Sequence, residues 1–351
     1  MNEKFWKNKK ILITGHTGFK GSWLTIWLKK LGADITGFSK STPTNPSLFE
    51  IANVQNDIKS IMGDIQNYEL LKETISKSEP EIIFHMAAQS LVIKSYSDPI
   101  ETYSTNVMGT VNLLYAVKET KKPKVVINVT SDKCYENNES LEGYTEDNPM
   151  GGYDPYSSSK GCAELVTKSF RNSFFSSNTE NKIAIASVRA GNVLGGGDWA
   201  ENRLIPDIIR SIKNEDSVKI RNPNALRPWQ HVLDPLNGYI QLAEKLWIDQ
   251  KYSEGWNFGP DKNEIKPVSW IIKKFDELWK NKIDWVIENG EMHETNNLIL
   301  NCQKAKSKLR WNSKINIETT LKWTIEWYEK YFDNKNMRKI TEEQITKFQE
   351  L

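Results

Sequence analysis

Cysteine is scarce: the 351 residues hold three, Cys134, Cys162 and Cys302, with no C-x-x-C pair among them. That excludes a disulfide framework and a thiolate zinc site, and no metal is expected. Charge of one sign is missing too. The chain has 47 Lys and Arg against 45 Asp and Glu, a net charge of +2, so no basic field is on offer to nucleic acid. The short run Lys118, Lys121, Lys122 and Lys124 reads as a solvated helix end. No stretch approaches the ~20 apolar residues of a membrane span. Met1 to Lys10 is charged and lacks the apolar core of a secretory signal. Internal repeats and low-complexity tracts are absent. These exclusions leave a protein of a reducing, cytoplasmic compartment, with length for two domains or one enlarged one.

What is present begins at Lys10–Thr14, a short apolar strand followed at once by Gly15-His16-Thr17-Gly18-Phe19-Lys20-Gly21. From Phe19 onward Trp23, Leu24, Trp27, Leu28 and Leu31 have helical spacing, and Gly32 ends the run. Strand, glycine turn and helix make the first unit of a dinucleotide fold, in which backbone N–H groups approach a pyrophosphate at a helix N-terminus. His16 reads as a loop residue. A second strand, Asp34–Phe38, ends at Ser39-Lys40, where many NAD-binding folds carry an acidic residue for the ribose hydroxyls. Ser39 can bond a ribose and Lys40 can accept a 2′-phosphate, so this position leaves NAD and NADP open. Residues 41–56 read as a surface loop.

A third strand, Ile58–Met62, precedes Gly63-Asp64-Ile65; Asp64 either bonds an adenine amino group or caps the helix beginning near Asn67. A fourth, Glu81–Met86, leads into Ala87-Ala88-Gln89-Ser90, small residues that leave room for a cofactor against the backbone. His85 reads as a satisfied core histidine. Pro99–Lys118 predicts one long helix striped by Val107, Val111, Leu114 and Val117, with Asn106 its one polar residue at the site. Val125–Val129, a near-continuous apolar run, is a strand buried on both faces. It delivers Thr130-Ser131-Asp132-Lys133 where an open α/β sheet places its chemistry. A helix from Tyr156 to about Asn172 and a strand Ile183–Val188 follow. Strands alternating with helices predict a doubly wound parallel α/β sheet.

Tyr156 and Lys160 stand at i and i+4 on one helix face, so an ammonium can reach toward a phenol oxygen. A free phenol has a pKa of ~10, and a nearby cation lowers it by roughly 1–3 units, making a base for a sugar hydroxyl. Beyond the sheet the pattern loosens. Arg189 to Asp198 is a glycine-rich loop holding Asn192, Arg203-Leu204 opens a helix, and Arg227 precedes another at Asp234. Gly255–Gly259 is a short strand and turn, and Leu321, Ile325, Tyr328 and Phe332 stripe a helix. The expected division is a Rossmann domain over 1–190, a smaller substrate lobe over 191–335 that can interleave with it, and a mobile polar tail over 336–351.

Gly15-x-x-Gly18-x-x-Gly21, Asn106, Ser131 and Tyr156-x-x-x-Lys160, in this order, resemble the extended short-chain dehydrogenase/reductase family. Gly15–Trp23, Thr130–Tyr135 and Gly191–Trp199 resemble, within it, the CDP-glucose 4,6-dehydratases. That resemblance implies a lyase turning CDP-D-glucose into CDP-4-dehydro-6-deoxy-D-glucose with tightly held NAD. It implies a homodimer or homotetramer built on the helices 99–118 and 156–172. The catalytic residues it implies are Ser131, Asp132, Lys133, Tyr156 and Lys160. Around the cofactor it implies Gly15, Thr17, Gly18, Phe19, Lys20, Gly21, Ser39, Asp64, Ile65, Ala87, Ala88, Gln89 and Asn106 besides Tyr156 and Lys160. For the substrate it implies Gln89, Ser90, Asn192, Arg203, Leu204 and Arg227. Related dTDP-glucose and GDP-mannose dehydratases carry Asp-Glu where this chain has Asp132-Lys133, and those dehydratases or a nucleotide-sugar 4-epimerase are the alternatives. A non-catalytic NAD-sensing protein on the same fold would tolerate loss of Tyr156, Lys160 or Asp132, and all three are present.

Overall fold

Apolar runs of four to seven residues, each followed by a turn and an amphipathic helix, bury themselves best in the middle layer of three. In the computed structural model, which describes residues 2–176, 182–279, 283–288 and 297–351, they form one seven-stranded sheet. Its spatial order is Gly255–Phe258, Ala184–Ala190, Val125–Val129, Ile82–His85, Lys10–Thr14, Asp34–Ser39 and Lys59–Met62, with every neighbouring pair parallel. The strands Val125–Val129 and Ala184–Ala190 are buried at every position, as expected where helices cover both faces. The doubly wound parallel class is therefore correct, and its seventh strand comes from the second half of the chain.

Two helices matter most to the site. Pro155–Phe174 begins with Asp154 as N-cap, whose Oδ1 accepts from Ser157 N at 2.9 Å and Oδ2 from Ser157 Oγ at 2.6 Å. Pro155 at the first helical position has no N–H to leave unsatisfied. The other departs from its expected form. It runs as Pro99–Tyr103, a π turn Ser104–Met108, and Gly109–Thr120. The extra residue in that turn rotates the register. The buried stripe becomes Asn106, Thr110, Leu113, Leu114 and Val117, leaving Val107 and Val111 half-buried.

Residues 41–56 are more than a surface loop. They hold the short helix Leu48–Ile51, bury Leu48, Phe49 and Val54, and wall one side of the cleft. The tail is likewise corrected: Met337–Glu350 is a helix, capped by Asn336, that buries Met337, Ile345 and Phe348. Phe348 meets Trp27 edge-on at 5.5 Å, and Trp327 Nε1 donates to Thr341 Oγ1 at 3.0 Å. Phe348→Ala is expected to cost about 3–5 kcal/mol, read as a lower midpoint in thermal unfolding. A tail that did not pack would leave the midpoint where it was.

Candidate active site

A cleft of about 2100 Å³ opens at the carboxyl ends of the strands. Its floor is the glycine turn. Gly15 has φ +77°, and a Cβ there would lie 2.6 Å from Ala87 N; one at Gly21 would lie 2.1 Å from Gly15 O. Both positions need bare backbone, which brings strand end, turn and the Ala87-Ala88 segment together. Thr14 Oγ1 fastens that segment by accepting from Met86 N and Ala87 N at 3.1 and 3.2 Å. Gly18 is the N-cap of Phe19–Lys30 with no side chain capping it, so the first-turn amides meet the cleft with the positive end of the helix dipole. This cradle fits the diphosphate of a dinucleotide. Gly15, Thr17, Gly18, Phe19, Lys20 and Gly21 all line it.

At the rim, the residues after the second and third strands answer one another. Lys40 Nζ lies 2.8 Å from Asp64 Oδ2 and 3.3 Å from Glu101 Oε1. Asp64 does not cap the following helix; Asn67 does, accepting from Leu70 N, while Asp64 Oδ1 accepts from Gln66 N at 2.9 Å. Ser39 is buried, its hydroxyl 2.8 Å from His16 Nδ1, and His16 Nε2 lies 2.8 Å from Ser60 Oγ. Burial lowers the His16 imidazole to about 4, so it is a neutral wedge in the turn. His85 sits in the core with Nδ1 2.7 Å from Thr14 Oγ1. Ile65, Ala87, Ala88, Gln89 and Ser90 line the cleft. Asn106 is not among the cleft-lining residues. It accepts from Gln89 N at 2.9 Å and donates to Gln89 O and to Ser159 Oγ, tying the Gln89 segment to the helix of Tyr156.

Ser131, Asp132, Lys133, Tyr156 and Lys160 converge on this cleft from two elements. The first three stand on and beside the 3₁₀ turn Asp132–Cys134, where Ser131 Oγ accepts from Lys133 N and donates to Asp132 Oδ1 at 3.0 Å. Asp132 is 4% exposed and its Oδ2 has no hydrogen-bond partner. Burial raises this carboxyl against the opposing pull of Lys133, the Ser131 hydrogen bond, Lys20 and Arg227. It is thus biased toward the protonated form, which an acid requires. Burial also lowers Lys160 to about 8, with Lys20 adding repulsion. The Tyr156 phenol departs from expectation. Burial pushes it up to about 12, and the Ser131 hydrogen bond opposes this only in part. Lys160 Nζ stands 6.0 Å from the ring centroid. A further positive charge is needed to bring the phenolate within reach of neutral pH.

The second half of the chain supplies the opposite wall, with Asn192, Arg203, Leu204 and Arg227 all facing the cleft. Arg203 Nη1 is 3.0 Å from Asp198 Oδ2, and its Nη2 donates to Ser90 Oγ at 3.2 Å, bridging the two walls. Arg227 Nη1 donates to Leu226 O at 3.0 Å. Sequence reasoning missed the layer beneath. Arg189, Glu164, Tyr135 and Asn257 form a buried network behind the catalytic turn. The signal was there in Arg189, an arginine inside the otherwise uncharged strand Ala184–Ala190, since a charge in such a place needs a partner. The cleft thus brings together a phenol and a hydroxyl, Tyr156 and Ser131, with a carboxyl and an amine, Asp132 and Lys133.

Residues 12–324 match the GDP-mannose 4,6 dehydratase family. The chain is 49% identical over 352 residues to CDP-glucose 4,6-dehydratase of Salmonella typhimurium, covering 99% of this chain and 98% of that one. It is 26% identical over 347 residues to human dTDP-D-glucose 4,6-dehydratase, covering 95% and 94%. The fold is shared with dTDP-glucose 4,6-dehydratase of Bacillus anthracis, solved in complex with NAD. The TM-score is 0.77 and the identity 24%, over 94% of this chain and 99% of that one.

Proposed function

The chain belongs to the GDP-mannose 4,6 dehydratase family, and from that premise we propose that it converts CDP-D-glucose to CDP-4-dehydro-6-deoxy-D-glucose and water. The observation that carries this is Asp132-Lys133 set directly after Ser131 and across from Tyr156. A plain alcohol dehydrogenase or a 4-epimerase has no use for a second acid–base pair. NAD, which the glycine turn Gly15–Gly21 and Lys160 would hold, would supply reversible hydride acceptance in this cleft. The chain's own residues do the rest. Tyr156 takes the proton of the C4 hydroxyl while Ser131 bonds the same oxygen, and Lys160 holds the ribose and adds positive charge. The C4 ketone acidifies C5–H, which Lys133 removes. Asp132 protonates the C6 hydroxyl so that it leaves as water. Turnover in D₂O tests the reading: a 4,6-dehydratase incorporates solvent deuterium at C5, and product without it would favour the epimerase.

The cofactor is NAD rather than NADP. Asp64 and Glu101 fold across Lys40, so the local charge sums to one negative, which repels a 2′-phosphate where the second strand lacks its own acid. Denaturing the purified protein is expected to release NAD; a predominance of NADP would refute this assignment. For the substrate, Arg227 and Arg203 grip the diphosphate, which Lys cannot do bidentately. Arg227→Lys is expected to raise KM for CDP-glucose about tenfold, the value of a charge-assisted hydrogen bond, and to lower kcat less. An unchanged KM would remove Arg227 from the binding site. Exposed Ile100, Tyr103, Met108, Tyr115 and Leu165 lie along Pro99–Thr120 and Pro155–Phe174, which supports a homodimer, or a pair of them, joined through these helices.

A further inference from the structure

We propose that Tyr135 is a positioning residue for the elimination half of the reaction, its hydroxyl held between Arg189 and Asn257 so that the turn bearing Asp132 and Lys133 keeps its aim. The inference rests on the dehydratase reading above. The turn Asp132–Cys134 is three residues long, closed only by bonds to Ser131, from Lys133 N to its Oγ at 3.2 Å and from Cys134 N to its O at 3.3 Å. So short a 3₁₀ segment has little stiffness of its own. Where its side chains point depends on what fastens its two ends.

Ser131 fastens the first end; the second is held by Gly151 N, which donates to Cys134 O at 2.9 Å, and by the Tyr135 side chain. The Tyr135 ring is buried and stacks on Tyr144 at 5.2 Å. Its hydroxyl accepts from Arg189 Nη1 at 2.5 Å and donates to Asn257 Oδ1 at 2.7 Å. Arg189 is itself immobilised by a two-pronged pair with Glu164: Nε to Oε1 at 2.8 Å and Nη2 to Oε2 at 2.7 Å. Glu164 also accepts from Thr130 Oγ1 and Ser187 Oγ. Gly255 leaves the room, since a Cβ there would come 2.5 Å from Arg189 Nη2. A fully satisfied buried network of this kind is rigid. Thr130 joins this network ahead of Ser131, and the Tyr135 hydroxyl joins it behind Cys134, at the end that carries Asp132 and Lys133.

Tyr156 and Lys160 do not hang on that hydroxyl. Their helix is fixed by the Asp154 cap and by Glu164 one turn beyond Lys160. Losing the hydroxyl therefore loosens Asp132 and Lys133 and leaves the C4 chemistry in place. A misplacement of about 1 Å can cost on the order of 10²-fold in rate.

The test uses the holoenzyme with CDP-glucose, comparing Tyr135→Phe with the parent in two readouts from the same sample. One is the rise of the reduced-nicotinamide absorbance, which follows C4 oxidation; the other is deuterium entry at C5 from D₂O, which follows Lys133. The expected result is a near-parental first readout and a second reduced about tenfold or more. Asn257→Ala removes the acceptor of the Tyr135 hydroxyl and leaves the Arg189–Glu164 pair whole. It gives the same split and carries the test should Tyr135→Phe not fold. Equal losses in both readouts, or none in either, overturn the proposal. Failure of the dehydratase reading is told apart by the parent protein, which would then show neither signal with CDP-glucose.

Discussion

Lys133→Met is expected to let the reaction start and stop it halfway. Mixed with CDP-glucose, the variant holoenzyme should develop the absorbance of reduced nicotinamide and keep it, with exchange of C5–H in D₂O abolished. Methionine has nearly the reach of lysine and no basic nitrogen, and it leaves Tyr156, Ser131 and Lys160 in place. Removing a general base typically costs on the order of 10²–10⁴ in rate, enough for the C4 ketone to accumulate. An Asp and a Lys side by side in water would be ionised, the wrong forms for acid and base. The surroundings favour the acid's working form: Asp132 is 4% exposed with an unpartnered Oδ2, and burial raises its carboxyl. Turnover of Lys133→Met at nearly the parental rate would show that another group removes the C5 proton.

The parts of this molecule that announce themselves locally were legible. A five-residue apolar strand running into Gly15, Gly18 and Gly21 has few other uses. Seven strands could be placed from runs such as Val125–Val129, and all seven joined one sheet. The same local reading failed wherever a distant partner decides. The polar look of residues 336–351 suggested a free tail. Yet Met337, Thr341, Gln344, Ile345 and Phe348 recur at helical spacing, and all are buried; the composition is that of a free tail, the period that of a packed helix. Asn106 was visible as the odd polar residue in its helix. Nothing nearby says that it faces Gln89 and Ser159 rather than the cleft, because the π turn that rotates it has no sequence signature. Arg189, Glu164, Tyr135 and Asn257 come from four separate elements, and only the fold brings them together.

Tyr156→Phe is expected to abolish both halves of the reaction, with no reduced-nicotinamide absorbance and no product at an appreciable rate. The loss should be about 10²–10⁴ or more, since elimination waits on the C4 ketone and inherits the first step's rate. The environment of the phenol makes the argument sharper. Burial holds it up at about 12 in the protein alone, against the Ser131 hydrogen bond. Phenolate therefore depends on positive charge arriving with the oxidised cofactor, which by proximity can lower the pKa by roughly 1–3 units. The base must be deprotonated to act, so the parent's C4 step should quicken as pH rises toward the phenol's working pKa. Phenylalanine has no proton to lose, and the variant's residual rate should be flat over the same range. Ring size and packing are kept, so thermal stability and dinucleotide retention should stay near parental, and those two measurements separate a lost base from a damaged fold. If Tyr156→Phe still reduces its nicotinamide at the parental rate, the C4 proton leaves by another route and Tyr156 is only part of the wall.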